Sequence, residues 1–153
     1  MLSNDFQFKE IASYAGSNPA SRMIKMKIKV ITPHGELKAE IDEAKNPKTA
    51  QAVISALPIT GEASRWGDEI YFEIGAKAGE ENSRQEVEVG DIAYWPPGHA
   101  LCIFFGRTPV STSDRPRAYS PVNVFGKIIG SMADAIKILK SVKDGERVRI
   151  EKA

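Results

Sequence analysis

The sequence predicts a mainly β domain, a closed barrel of about eight short strands with two helices covering the barrel ends. Three observations predict it. Apolar residues alternate at period two through most of the chain. Helical stripes at i, i+3, i+4 and i+7 occur only twice, once early and once late. The strands do not alternate with helices, as a doubly wound parallel sheet requires. Closure follows as an expectation because it removes exposed sheet edges.

The elements follow in order. In "IKMKIKV" (24–30), Ile24, Met26, Ile28 and Val30 face one side and Lys25, Lys27 and Lys29 the other. After Pro33-His34-Gly35, Leu37, Ala39 and Ile41 alternate with Glu36, Lys38 and Glu40, predicting a hairpin with opposite charges paired on its outer face. "NPKTAQAVISALP" (46–58) changes period: Ala50, Val53, Ile54 and Leu57 form one helical stripe, with Asn46 as N-cap, Pro47 at the first helical position and Pro58 as the stop. Ile70, Phe72 and Ile74 alternate with Glu69, Tyr71 and Glu73. A polar loop (75–83) precedes a short strand around Val87 and Val89. "GDIAYWPPGHALCIFFG" (90–106) reads as two strands joined by a stiff Pro-Pro-Gly turn. "STSDRPRAYSP" (111–121) reads as a turn-rich loop and "VNVFGKI" (122–128) as a strand. Ser131 caps a second helix, striped by Met132, Ala135, Ile136 and Leu139, with Asp134 completing a variant capping box. Asp144-Gly145 then turns the chain into a last strand, with Val148 and Ile150 facing in.

Composition excludes several function classes. Twenty-one basic residues against 20 acidic ones give a net charge of +1 over 153 residues, without the basic excess that nucleic acid or an acidic membrane surface demands. Length predicts one domain. The single cysteine, Cys102, cannot form an intrachain disulfide, and no secretory signal is evident, so the expected location is the cytoplasm. The first 22 residues end in a loop-like Ser-Asn-Pro-Ala-Ser stretch, so the domain is expected to span 23–153 after an extension over 1–22.

No Gly-x-Gly-x-x-Gly or phosphate-binding loop is present, and His34 and His99 each lack a nearby ligand partner. No metal or cofactor is therefore expected. Cys102 alternates with Ala100 and Phe104 in an apolar run and reads as a buried structural thiol. His99, after Pro96-Pro97-Gly98, reads as an exposed turn residue or as a hydrogen-bonding group at a groove edge. Arg65 beside Trp66 reads as a surface stack worth about 1 kcal/mol, or as a guanidinium poised over an aromatic floor to grip a carbonyl. Tyr94 and Trp95 are adjacent, as are Phe104 and Phe105, so each pair sends one ring to each face. The inward rings fill the core. The outward ones, with Tyr71, are candidates for a groove.

Two segments carry a resemblance. "VNVFGKIIGSMADAIKIL" (122–139) resembles the late strand-plus-helix segment of cyclophilins, and "CIFFG" (102–106) is similar to their Phe-Phe-Ile strand. More closely, "SRWGDEIYFEI" (64–74) and "GDIAYWPPGHALCIFFGRTP" (90–109) resemble a small family of uncharacterised prokaryotic cyclophilin-like proteins. The resemblance spans nearly all of 23–153 and implies an eight-stranded cyclophilin-type barrel. Cyclophilins are prolyl isomerases that polarise the prolyl amide with an arginine beside a hydrophobic pocket. Carried over, Arg65 stands for that arginine, and Phe104 or Phe105 for the pocket phenylalanine. Val122 stands where the resemblance places the pocket histidine, and Arg117 where it places a tryptophan.

These readings predict a domain that binds a peptide or small molecule, without catalysis, in a groove edged by Arg65, Trp66, Tyr71, Tyr94, Trp95, His99, Phe104 and Phe105. The alternatives are a weak prolyl isomerase acting through Arg65, and an interaction subunit, such as a homo-oligomer, that buries the outer aromatics between chains.

Overall fold

The computed structural model describes residues 25–153; the extension expected over 1–22, and Met23 and Ile24 at the expected start of the domain, lie outside the described residues. Strand β1 (Lys25–Thr32) pairs antiparallel with β2 (Gly35–Asp42) across a two-residue Pro33-His34 turn. The register sets Lys27 opposite Glu40 and Lys25 opposite Asp42, as expected, but sets Lys29 opposite Lys38. Helix α1 (Pro47–Ala56) buries Thr49, Ala50 and Val53. Asn46 occupies its N-cap position, yet its side chain donates to the Val124 carbonyl instead (2.6 Å). The capping falls to Glu81, whose carboxylate accepts from the Lys48 and Thr49 amides (3.1 and 3.0 Å) and the Thr49 hydroxyl (2.8 Å). Desolvation works to raise the Glu81 carboxyl, but these donors and the Lys48 charge outweigh it and hold it below its usual range.

The chain continues through β3 (Ile59–Glu62), β4 (Ser64–Arg65), β5 (Glu69–Glu73), β6 (Arg84–Glu86), β7 (Asp91–Trp95), a 3₁₀ turn (Pro96–Gly98), β8 (Ala100–Phe104), β9 (Arg117–Ile129), α2 (Met132–Ser141) and β10 (Arg147–Lys152). Helix α2 begins as the sequence predicts, the Ser131 hydroxyl accepting from the Asp134 amide (3.2 Å), and it buries Ala135 and Leu139. Both helices pack on β2 and β9. Among the described residues no helix is long and apolar enough to cross a membrane.

The architecture is mainly β with two helices, but the closed eight-stranded barrel is not what forms. The described strands number ten, in one open path, β3-β10-β1-β2-β9-β7-β8-β5-β4, with β6 pairing β9 alone. The path ends adjoin at Ala63 in sequence, where both backbone groups are already spent. The Ala63 amide donates to Glu146 and its carbonyl accepts from Gly145, both at 2.8 Å. The ends meet by packing instead of a ladder: Gly61 of β3 lies so close to Phe72 of β5 that a Cβ there would stand 2.7 Å from the ring.

Two expected boundaries move. The strand expected around Val87 and Val89 forms earlier, at Arg84–Glu86, because Val87 turns inward as a fully buried apolar anchor. Strand β9 starts at Arg117 and takes in half of the stretch read as loop. Its Pro121, which has no amide to donate, is tolerated because that residue is exposed, and the β6–β9 register shifts there between Arg84 and Glu86.

Candidate functional site

The site follows from alternation in three neighbouring strands. On β5, β7 and β8, Ile70, Phe72, Ile92, Tyr94, Leu101 and Ile103 join the main core. The intervening Ala93, Cys102 and Phe104 face the other way and form a second cluster with Val87, Ala118, Val122 and Val124; Tyr71 and Trp95 pack against it. The N-terminal half of β9 thus covers an outer sheet face that local pattern leaves to solvent.

A pocket of about 330 Å³ opens in this outer layer, lined by Trp66, Glu69, Tyr71, Trp95, Cys102, Ala118, Tyr119 and Val122. That volume lies at the small end of ligand sites. Tyr119 stands between the two indoles, its ring centroid 6.1 Å from each, at 76° to Trp66 and 86° to Trp95. Such edge-to-face contacts set neighbouring walls nearly at right angles. Trp95 is fixed at both ends. Its Nε1 donates to the Ser120 hydroxyl (2.6 Å), and its ring covers Gly98 so tightly that a Cβ there would lie 2.5 Å from it.

The floor carries one ionisable pair. Glu69 sits opposite Phe104 and Tyr71 opposite Cys102 in the β5–β8 ladder, so Glu69 and Cys102 are diagonal neighbours on one face. Glu69 is only 5% exposed and has no lysine or arginine ion pair among the described residues. Burial pushes its carboxyl up to about 7, with the Cys102 thiol hydrogen-bonded to it as a partial offset. The same burial, together with the adjacent Glu69, pushes the Cys102 thiol well above its ordinary value. Cys102 is buried, as the sequence predicts, and it holds its proton.

The predicted site residues separate into four places. Trp66, Tyr71 and Trp95 meet in the pocket. Phe104 belongs to the second cluster beneath it and is fully buried. Tyr94 points into the main core, where its hydroxyl donates to Ala76 (3.1 Å), accepts from the Ala78 amide (3.3 Å) and meets His99 Nδ1 (3.2 Å). Arg65 and Phe105 form the fourth group. The guanidinium lies 5.2 Å from the Phe105 ring centroid and donates to the carbonyls of Lys140 (3.1 Å), Val142 (3.0 Å) and Gly67 (3.0 and 3.2 Å). The Arg65–Trp66 stack does not form, because the Arg65 guanidinium at the end of β4 turns to Phe105 and the α2 carbonyls while Trp66, just past the strand, lines the pocket. Arg65 instead ties β4 to the C-terminus of α2, where a cation is favoured.

Sequence reasoning missed Glu69, Cys102, Ala118 and Tyr119 as pocket residues. Glu69 shares a face with Tyr71, and Cys102 with Phe104, so the same alternation that nominated the aromatics marks both. Tyr119 lay in a stretch read as loop. Val122, at the position that the resemblance equates with the pocket histidine, does line the pocket.

Fold and site together define a cyclophilin-type sheet carrying a pocket on its outer face. The family model described as Cyclophilin-like matches residues 26–151, and the chain belongs to that family. Among solved structures, it is similar to the hypothetical protein AF2241 from Archaeoglobus fulgidus, with 45% identity, a TM-score of 0.72, and coverage of 86% of this chain and 98% of that one. A cyclophilin-type peptidyl-prolyl cis-trans isomerase from Cryptosporidium parvum shares the fold at 15% identity and a TM-score of 0.55, covering 85% of this chain and 98% of that one. The same isomerase solved in the presence of the dipeptide Ala-Pro gives 14% identity and a TM-score of 0.58, covering 83% of this chain and 98% of that one. No curated protein matches the sequence.

Proposed function

We propose that this protein is a binding domain that takes a small molecule, or one side chain of a peptide, into the outer-face pocket without transforming it. The observation that carries the reading is the convergence of Trp66, Tyr71, Trp95 and Tyr119, from four separate segments, around one concave site with a single carboxyl at its floor. An aromatic recess that served packing alone would be filled by its own side chains. The isomerase alternative needs a cationic donor at the pocket, and the Arg65 guanidinium is engaged by three backbone carbonyls elsewhere. A nucleophilic alternative needs a thiolate, and Cys102 is held as the thiol.

A ligand-observed NMR screen of small aromatic, amide and amine fragments against the full chain tests this. Hits are expected to weaken at least about tenfold in both Trp66→Ala and Trp95→Ala, as loss of a buried aromatic anchor implies. Hits that bind both variants as well as the parent chain would remove the pocket assignment. Exchange spectroscopy on a proline peptide measures the isomerase alternative directly, with the uncatalysed rate expected.

A further inference from the structure

We infer that the pocket recognises an organic ammonium group, held between the tryptophan and tyrosine rings and paired with the Glu69 carboxylate. The inference deepens the binding reading above and rests on it. The charged side chain in the described lining is an acid, Glu69. Aromatic faces are negative, and a cation within about 6 Å of a ring centroid gains most when the site is desolvated. Trp66 and Trp95 stand nearly perpendicular to Tyr119, and all three rings line the recess. Among the described residues no lysine, arginine or histidine lines the cavity. Two hydrogen-bond donors an anion might use are already spent: the Trp95 indole N–H on Ser120 and the Cys102 thiol on Glu69.

Glu69 supplies the second, independent part. A carboxyl 5% exposed and without a lysine or arginine ion pair among the described residues is costly to ionise, and no packing need puts it there. An arriving cation would supply the opposite charge that the described residues do not. The titratable groups lining the cavity around it are the Cys102 thiol of β8 and the phenols of Tyr71 and Tyr119, none of them basic. Cation binding therefore favours the ionised carboxyl and releases a proton wherever Glu69 is partly protonated, and the affinity rises with pH through about 7. The cavity, about 330 Å³, admits a trimethylammonium group and a short chain but not a large polycation.

The test titrates the full chain with choline and with its uncharged carbon isostere, 3,3-dimethyl-1-butanol, following tryptophan emission and the indole N–H signals. Choline is expected to bind at least about tenfold more tightly than the alcohol, and Glu69→Gln to bring the two within about twofold. Choline affinity is expected to rise several-fold from about pH 6 to 8 in the parent chain and to stay flat in the variant. A short peptide carrying trimethyl-lysine forms a third arm: tighter binding than choline identifies a modified protein side chain as the source, weaker binding a free amine. Equal or tighter binding of the alcohol overturns the ammonium inference and leaves the pocket reading standing. If none of the three perturbs either tryptophan, the ammonium inference also falls, and the neutral fragments of the wider screen decide separately whether the pocket binds anything.

Discussion

The two faces of the β5–β8–β7 sheet segment obey different rules. The inner face is closed and apolar: Phe72, Ile92, Leu101 and Ile103 are all at most 2% exposed. Its one polar tip, the Tyr94 hydroxyl, is satisfied by Ala76. Among the described residues the outer face is covered by the N-terminal half of β9 and by Val87, and it keeps a recess with a buried carboxyl at the bottom. A layer selected for stability alone has no use for Glu69, whose ionisation the surrounding apolar groups oppose. Under the proposed binding function the contrast separates two tasks: the inner face holds the fold together, and the outer face gives up some stability for a recess.

The largest test of this division is Phe72→Ala. Phe72 is buried between the core and the close-packed Gly61 of β3, where the two sheet ends meet without a ladder. The change is expected to cost about 3–5 kcal/mol and lower Tm by roughly 10 °C or more, read by thermal melting. Fragment or choline binding measured well below the transition is expected to stay within about twofold of the parent chain, because Phe72 and the pocket lie on opposite faces. A loss below about 1 kcal/mol would contradict the view that the inner face carries the stability.

Glu69→Gln probes the other face and has a pH signature. The Glu69 carboxyl titrates at about 7 in the folded chain against 4.5 for an unperturbed glutamate, so between those values the folded state holds the proton more firmly than the unfolded one. The stability contributed by the neutral acid is complete below 4.5 and is lost as the pH climbs to about 7. At about 1.4 kcal/mol per pH unit the full difference is about 3 kcal/mol. Glutamine cannot ionise. The variant is therefore expected to match the parent chain near pH 4.5 and to exceed it by up to about 3 kcal/mol at pH 8, measured by urea unfolding at both values. Equal stability at pH 8 would mean that Glu69 is solvated or paired after all.

How much of this was legible in the sequence divides along the same line. Alternation required each adjacent aromatic pair to send one ring to each face without deciding which, and both helices lay where their apolar stripes put them, the first ending before Pro58 and the second starting at its Ser131 cap. Those are local signals. Glu69 was not legible, because a glutamate alternating with Ile70 and Phe72 reads as solvent-facing unless something distant covers it. The cover is Ala118, Tyr119 and Val122, in a proline-containing stretch whose local chemistry indicates a loop. Arg65 was misjudged for another reason. Its partners, Phe105 and the carbonyls at the end of α2, are distant in sequence, so nothing local marks that the guanidinium turns away from Trp66. The open path of the sheet was beyond local reading too, since it depends on Ala63 bonding to the Gly145–Glu146 turn.

Arg65→Ala follows in size. It removes the donors that hold the Lys140 and Val142 carbonyls at the end of α2 and uncovers Phe105. A loss of about 1–2 kcal/mol is expected in chemical denaturation, the guanidinium being partly exposed. Pocket binding is expected to be unchanged within about twofold, since the residue faces away from it. A tenfold loss of affinity would return Arg65 to the site.

The smallest effect belongs to Ser120→Ala, and it asks how firmly the pocket is built in advance. Ser120 accepts the Trp95 indole hydrogen bond at 2.6 Å, while Gly98 leaves room for the ring on its other side. Removing the hydroxyl costs about 1 kcal/mol at most, because the indole N–H is part-buried and can turn to water. The ring then loses its anchor without losing its apolar contacts. Stability is expected to change little, whereas choline affinity is expected to fall about two- to fivefold, with the Trp95 indole N–H signal shifted and broadened in NMR spectra. A hydroxyl that mattered to folding would reverse that order, lowering Tm while leaving affinity alone. The outer layer would then be a second core, and the difference between the two faces would lie in depth alone.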